Sequence, residues 1–292
     1  FSNNKGEIWS YTKMIYPMKT IVVPFDFSDY ALAALQTAQR ISAKSGAKVI
    51  CVTVVPSEVD WDLLPEEGKQ KYPQLIEEME EAKAVIPDYL KQIAPAKAPI
   101  EVMVKIGVPS EQILRVIEKS AADLAVLGAY GKGFLDGKFI GSTLQKVLRL
   151  SPCPVLAVKS AMDGNAFRKI AFASIFNESS KKAFSKIVPF AKLFKASVHL
   201  VYINTPENFV SSTESEHAMA GFSKGHEELI LHTHVFNHKD VEQGLIEFCK
   251  AKEIHLAAVV SSDRKGMSSY LIGTTDTLIF KSDLGILSVK AG

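Results

Sequence analysis

The chain has 292 residues, 47% of them hydrophobic and 23% charged, which is typical of a globular protein with room for two domains of about 150 residues. With 34 basic and 32 acidic residues the formal net charge is +2, too small to attract nucleic acid or a membrane surface, so neither is expected as a partner. The cysteines, Cys51, Cys153 and Cys249, are few and far apart, which predicts reduced core thiols and a cytoplasmic protein.

Residues 1–17 differ from the rest of the chain because they carry Lys5, Glu7 and Lys13 and lack the apolar core of a signal peptide. We interpret them as an N-terminal extension or a remnant of expression or processing, with Met18 as the natural start. No later segment approaches the run of about 20 apolar residues that a membrane-spanning helix needs.

Strand and helix patterns alternate after this segment. Residues 21–25 form an apolar run, and Ser28 can cap a helix that Gly46 ends. Further strands are predicted over residues 49–55, 100–106, 124–127 and 155–158, with a helix near 74–93 and another capped by Ser110. Unbroken apolar strands separated by helices indicate an α/β fold with an open, doubly wound, mostly parallel sheet.

The same pattern recurs in the second half of the chain. The offset is 149 residues at the first strand (170 − 21) and 132 at the fourth (256 − 124), so the second copy is shorter by 17 residues (149 − 132). A turn-prone segment, Asp163-Gly164-Asn165, lies between the copies. The sequence therefore predicts two domains, residues 18–160 and 166–292.

A glycine motif follows the fourth strand of the first copy. Gly128-Ala129-Tyr130-Gly131 is followed by nine residues and then by Gly141-Ser142-Thr143. Glycines let backbone N–H groups approach an anion, and a helix that opens at Gly141-Ser142 favours phosphate at its N-terminus. Ser142 and Thr143 add hydroxyl donors. The alternative is a tight strand-to-helix turn without a ligand.

Two other residues are expected near this motif, because ligands of open α/β sheets lie beyond the carboxyl ends of the strands. Asp26 follows the first strand and suits a ribose hydroxyl. Val54, late in the second strand, can meet an adenine edge through its backbone.

The spacing Gly-x2-Gly-x9-Gly-Ser resembles the ATP-binding signature of the universal stress protein family. Residues 21–28 and 125–158 are similar to that family throughout, and the likeness is strong over 18–159 and weak over 168–290. The resemblance implies two flavodoxin-like (adenine nucleotide alpha hydrolase-like) domains of strand order 3-2-1-4-5, with ATP and a divalent cation, Mg²⁺ or Mn²⁺. It implies nucleoside contacts at Pro24, Asp26 and Val54, and phosphate contacts at Gly128, Gly131, Gly141, Ser142 and Thr143.

The second copy lacks most of these residues. Ile175 stands at the position of Asp26, and Ser261 and Arg264 stand at those of Gly128 and Gly131, while Gly273-Thr274 is retained. Residues 261–265 are either a new ligand site or a solvated loop of a degenerate domain. We expect the loop, and nucleotide binding in the first copy only.

The functional hypothesis is a nucleotide-binding stress-response or regulatory module. The alternatives are a slow ATPase or nucleotidyl-transfer enzyme and a ligand-free scaffold; the sequence contains neither a P-loop nor a nucleophile elbow.

The resemblance also implies how the two copies assemble. Members of the family commonly pair through their last strand, so the copies are expected to form an internal pseudo-dimer through residues 155–158 and 286–289. A homodimer of the whole chain is a second possibility.

Two further polar clusters lie outside the glycine motif. Five of the seven histidines fall between 217 and 238, with His217 and His226 expected in a loop and His232 and His234 on one face of a strand. They are either surface residues or, with Asp240, a zinc site, and we expect surface residues. The acidic run 77–81 is interpreted as a solvated helix face.

Overall fold

The computed structural model describes residues 18–93, 99–132, 140–261 and 274–290. In these ranges the strands are β1 Thr20–Pro24, β2 Lys48–Pro56, β3 Ile100–Gly107, β4 Leu124–Gly128, β5 Val155–Val158, β6 Lys169–Ala173, β7 Ser197–Asn204, β8 Ile230–Asn237, β9 Leu256–Ser261 and β10 Gly285–Lys290. The α-helices are α1 Asp29–Ser45, α2 Glu66–Lys69, α3 Pro73–Leu90, α4 Pro109–Lys119, α5 Ser142–Leu150, α6 Glu178–Phe194, α7 Ser212–Ser223, α8 Val241–Lys252 and α9 Thr274–Lys281.

The strands of the described residues form one sheet in the order β3-β2-β1-β4-β5-β10-β9-β6-β7-β8. Within each half all neighbouring strands are parallel. The strand order is 3-2-1-4-5 in the first half and its mirror in the second, which confirms the predicted fold class. Between the halves, β5 and β10 pair antiparallel, with Leu156 opposite Leu287, at the two strands expected to meet.

Two apolar cores cover the two faces of this sheet, because successive strand residues point to opposite sides. Ile21 and Val23 join the core beneath α1 and α6, and Val22 joins the core beneath α4, α5, α8 and α9. Each core contains residues from both halves of the chain. The halves are therefore packed together as well as joined through strands.

The same local backbone recurs in both halves. Three residues with left-handed φ angles in the first half have equivalents in the second half. Phe27 and Phe176 are 149 residues apart (176 − 27), as are Gly46 and Lys195 (195 − 46). Ala121 and Glu253 are 132 residues apart (253 − 121), so the pairs reproduce the two sequence offsets. Left-handed φ is uncommon outside glycine, so its recurrence marks equivalent turns. These turns and the strand registers together define which residues of the two halves are equivalent.

Replacing Lys195 by glycine is expected to raise the free energy of unfolding by about 0.5–1 kcal/mol. Lys195 ends α6 with φ 50° and ψ 44°, where the first half has Gly46. A Cβ in this conformation costs roughly 1–2 kcal/mol, and the greater freedom of glycine in the unfolded chain offsets part of the gain. Urea denaturation measures the change in the free energy of unfolding. The control Lys182→Gly, exposed inside α6, should lose about 1 kcal/mol, and a destabilised Lys195→Gly variant would refute the argument.

Helix ends agree with the sequence at α1 but not at α4. Ser28 caps α1 by accepting a hydrogen bond from the Ala31 amide at 3.1 Å, as predicted. The cap predicted at Ser110 is wrong, because α4 begins at Pro109 and Val108 occupies the capping position without a side-chain bond. Proline's fixed φ suits the first helical position, so Ser110 lies inside the first turn.

The loop predicted for His217 is also wrong, since His217 lies in α7. This helix begins with a capping box in which Ser211 and Glu214 each bond the other's backbone. The serine and glutamate three residues apart were the signal for it.

The three cysteines are free thiols. Burial raises the pKa of Cys51 and of Cys249 to about 12, as expected for core residues.

Within the described ranges, no helix combines the length and the apolar character needed to cross a membrane.

Candidate functional site

A cleft of about 1080 Å³ opens at the carboxyl ends of β1, β2 and β4. The eight residues proposed from the sequence all line it: Pro24, Asp26, Val54, Gly128, Gly131, Gly141, Ser142 and Thr143. They come from four separate segments, which the crossovers of the sheet bring together. The volume suits a nucleotide-sized ligand.

The backbone of β2 is open on one side where it passes the cleft. β1 pairs with β2 only as far as Pro24 opposite Val52, whereas β2 pairs with β3 as far as Pro56 opposite Gly107. Val54 therefore lies beyond the end of β1 on the side that β1 would cover. Such a backbone edge can hydrogen-bond a planar heterocycle that lies against it.

Asp26 connects the end of β1 with the glycine loop. Its Oδ1 accepts hydrogen bonds from the Ser28 hydroxyl at 2.6 Å and the Ser28 amide at 3.2 Å. Its Oδ2 accepts one from the Lys132 amide at 2.9 Å. A carboxylate has about four acceptor positions, so these bonds leave capacity for a ligand hydroxyl. Asp26 is thus fixed in place beside the loop that follows β4.

The two loop glycines have different neighbours. A Cβ at Gly128 would lie 2.6 Å from the carbonyl carbon of Tyr30, so helix α1 crosses β4 too closely for a side chain there. A Cβ at Gly131 would lie 2.8 Å from Oδ2 of Asp26. Gly128 therefore has a packing role that the sequence argument missed, and Gly131 makes room for the carboxylate.

The N-terminus of α5 faces the cleft without a capping side chain. Gly141 is its N-cap residue, and neither a side-chain cap nor an acidic residue occupies its first turn. The first amides of a helix lack intrahelical partners and favour an anion. A Cβ at Gly141 would meet no atom of the described residues within 4 Å, so Gly141 itself is not tightly packed.

One wall of the cleft was not predicted. Helix α3 contributes Ala82, Val85 and Tyr89, and Glu78 and Glu81 lie at the exposed margin. The acidic run is solvated as expected, but two of its residues border the site. The helical spacing of these five residues was the available signal. Lys132, also unpredicted, lines the cleft and donates its backbone amide to Asp26.

The corresponding region of the second half is packed differently. Ile175 stands where Asp26 does and packs against the apolar core. Ile203, which aligns with Val54 by strand register (203 − 54 = 149), is fully buried. A Cβ at Gly244 of α8 would lie 2.7 Å from Ile203 and 2.8 Å from His238. Strand register aligns Val260 with Gly128 (260 − 128 = 132), so the expected match of Ser261 with Gly128 is wrong by one residue. Arg264 and Gly273, also named from the sequence, lie outside the described residues.

The histidines predicted on one strand face are in β8, as expected. His234 bonds His199 of β7, a residue that the sequence argument did not include. No group of three or more His, Cys, Asp or Glu side chains in the described part of the chain is arranged to hold a metal ion.

Comparison with known proteins supports the same family that the motif suggested. Residues 17–159 match the model of the universal stress protein family. Curated relatives include "Universal stress protein MJ0531" of Methanocaldococcus jannaschii, 32% identical over 48% of this chain and 82% of its own length. A Thermus aquaticus universal stress protein is 32% identical over 48% of this chain and 98% of its own.

Among solved structures, a universal stress protein from Archaeoglobus fulgidus aligns with 95% of this chain and 100% of its own. Its TM-score is 0.73 and its sequence identity 16%, so it supports the fold over both halves of the chain.

Proposed function

The chain belongs to the universal stress protein family, and from that premise we propose that its first half binds ATP, with Mg²⁺ or Mn²⁺, as a regulatory ligand. The observation that carries the proposal is the convergence of all eight predicted residues on one cleft. Binding would stabilise one state of the cleft and so alter interactions with partners. The cation would offset phosphate charge.

Each part of the cleft suits a different part of the nucleotide. The open backbone edge at Val54 and the apolar wall of α3 suit the adenine, and Asp26 suits a ribose hydroxyl. The amides at the start of α5, the hydroxyls of Ser142 and Thr143, and Lys132 suit the phosphates. An apolar pocket for the base beside donors for the anion is the arrangement that a nucleotide requires.

We further propose that residues 18–160 form the binding domain and residues 166–292 a degenerate partner in an internal pseudo-dimer. Ile175 offers no acceptor to a ribose hydroxyl, and the close contact of Gly244 with Ile203 and His238 favours a closed strand end. The pairing of β5 with β10 and the shared cores are consistent with a structural role for the second domain.

Asp26→Ala is expected to weaken ATP binding five- to hundredfold. The variant removes the acceptor for the ribose and the bond that holds the Lys132 amide, and an unmatched hydrogen-bonding group costs about 1–3 kcal/mol. Isothermal titration calorimetry with Mg²⁺ and ATP measures the change. Asp29→Ala is the matched control, because this exposed carboxylate lies three residues away and outside the cleft lining. Equal affinities for the two variants would refute the role of Asp26.

The enzyme and scaffold alternatives are distinguished by the purified protein. A slow ATPase or nucleotidyl-transfer enzyme predicts turnover that Asp26→Ala abolishes, and a rate near the enzyme median of about 10 s⁻¹ would favour it. A ligand-free scaffold predicts neither co-purified nor titratable nucleotide. The regulatory proposal predicts tight binding with turnover far below that rate.

A further inference from the structure

Three histidines of the second half meet on one face of the sheet. His199 of β7 lies opposite His232 of β8, and His234 lies two residues further along β8. Ring centroids are 4.9 Å apart for His199 and His232 and 5.1 Å apart for His199 and His234. This group, the histidine cluster, packs beneath α8, whose Phe248 ring lies 5.0 Å from the ring of His234.

A direct hydrogen bond joins two rings of the cluster. His199 Nδ1 and His234 Nε2 are 3.0 Å apart, and the ring planes differ by 11°. One of these nitrogens must accept, so at least one of the two rings is neutral. Protonating both rings would place two N–H groups against each other and break the contact.

The surroundings of the cluster also oppose protonation. His199 is 9% exposed, and burial lowers its pKa to about 4, with His234, His232, Lys169 and Lys252 adding to the effect. The pKa of His234 is lowered too, first by burial and then by Lys252 and His232. The buried thiol of Cys249 is neutral, and Glu253, with 86% of its side chain exposed, is 4.0 Å from Lys169.

The first half has no histidines at these positions. By strand register, Ile50 aligns with His199, Glu101 with His232 and Met103 with His234. Equivalent positions of the sheet therefore hold imidazole side chains in the second half and other side chains in the first. Strand β8 is also an edge of the sheet, so one side of it has no neighbouring strand in the described structure.

We propose that the histidine cluster makes the second half acid-sensitive: protonation below neutral pH opens the contact of β8 and α8 with the rest of the sheet. The first half, without imidazoles there, keeps its strand contacts. This proposal is independent of nucleotide binding.

The direction of the pH effect follows because proton uptake by His199 is linked to opening of the histidine cluster. In an open state His199 takes up a proton below its ordinary pKa of about 6.5, whereas the closed state excludes it until about pH 4. The stabilisation from the neutral ring is thus complete above pH 6.5 and is lost as the pH falls toward 4. At pH 5 the opening equilibrium should rise about tenfold or more relative to pH 7.5.

Hydrogen exchange with mass spectrometry on the full chain tests this at pH 7.5 and 5.0, after correction for intrinsic exchange. Peptides from β7 and β8 should lose protection about tenfold or more at pH 5.0, and peptides from β2 and β3 should not. The double variant His199→Ile, His234→Met, which copies the first half, should lose most of this difference. His217→Gln, at an exposed histidine of α7, should keep it.

Three results would overturn the proposal. The first is an equal loss of protection in the two halves at pH 5.0. The second is an unchanged pH response in the double variant. The third is protection of β8 by one equivalent of Zn²⁺ at pH 7.5 that the double variant abolishes, since the cluster would then be a metal site. If the double variant is poorly folded, His234→Met alone gives the same comparison, because it also removes the hydrogen bond between the rings.

Discussion

Gly131→Val is expected to weaken ATP binding by about a hundredfold or more. The new Cβ would lie 2.8 Å from Oδ2 of Asp26, so the carboxylate must move and release the Lys132 amide. The branched side chain would also occupy space beside the loop amides. Displacing the Asp26 carboxylate and obstructing the loop amides should each cost about 1–3 kcal/mol of binding free energy, which together give the expected loss of affinity. Titration calorimetry measures that loss directly.

The fold should tolerate this substitution. Among the described residues, Asp26 is the one neighbour within 4 Å of the added Cβ, and Gly131 does not have a left-handed φ. The thermal midpoint should therefore stay close to that of the wild type. Gly164→Val is the matched control, since a Cβ there meets open space in the linker turn. Wild-type affinity in Gly131→Val, or equal losses in both variants, would contradict the assignment of the loop.

Gly128→Ala is expected to destabilise the protein by about 3 kcal/mol or more. The added Cβ would lie 2.6 Å from the carbonyl carbon and 2.8 Å from the carbonyl oxygen of Tyr30. Backbone atoms of a packed helix cannot rotate away, so α1 must shift from β4, and overpacking of this kind costs about 1–3 kcal/mol or more. At roughly 2–4 °C per kcal/mol, the thermal midpoint should fall by about 6–12 °C.

Gly141→Ala is the control for this effect, because a Cβ there meets no atom of the described residues within 4 Å. Its stability should fall by no more than about 1 kcal/mol, the cost of alanine in place of glycine at a helix N-cap. Urea denaturation of both variants separates the clash at Gly128 from the effect of an added methyl group alone. A Gly128→Ala protein within 0.5 kcal/mol of the wild type would show that α1 and β4 are less tightly packed than the structure indicates.

Sequence patterns predicted most of the fold because the central strands are short apolar runs between turn residues. Both ends of α1 were predictable, since Ser28 and Gly46 have side-chain and conformational roles that depend on local sequence. The cap at Ser110 was predicted wrongly because Pro109 starts α4 one residue earlier. The contact of Gly128 with α1 depends on helix placement over the sheet, which local sequence does not encode.

The candidate site was predicted in its residues but not in all its contacts. The glycine motif, the strand ends and the family resemblance together gave the eight cleft residues. The wall from α3 was missed because the helical spacing of Ala82, Val85 and Tyr89 does not say which surface that helix covers. The bond between Asp26 and the Lys132 amide joins residues 106 positions apart, and that between His199 and His234 joins residues 35 apart. Both depend on how strands and loops are placed in space.

Calorimetric titration of the intact chain with ATP and Mg²⁺ tests the central claim most directly. We expect one site per chain, with affinity lowered about a hundredfold or more by Gly131→Val and unchanged by Arg264→Ala, because the residues suited to the nucleotide converge in the first half. Two equivalent sites per chain, or one site whose affinity Gly131→Val leaves unchanged, would contradict the account.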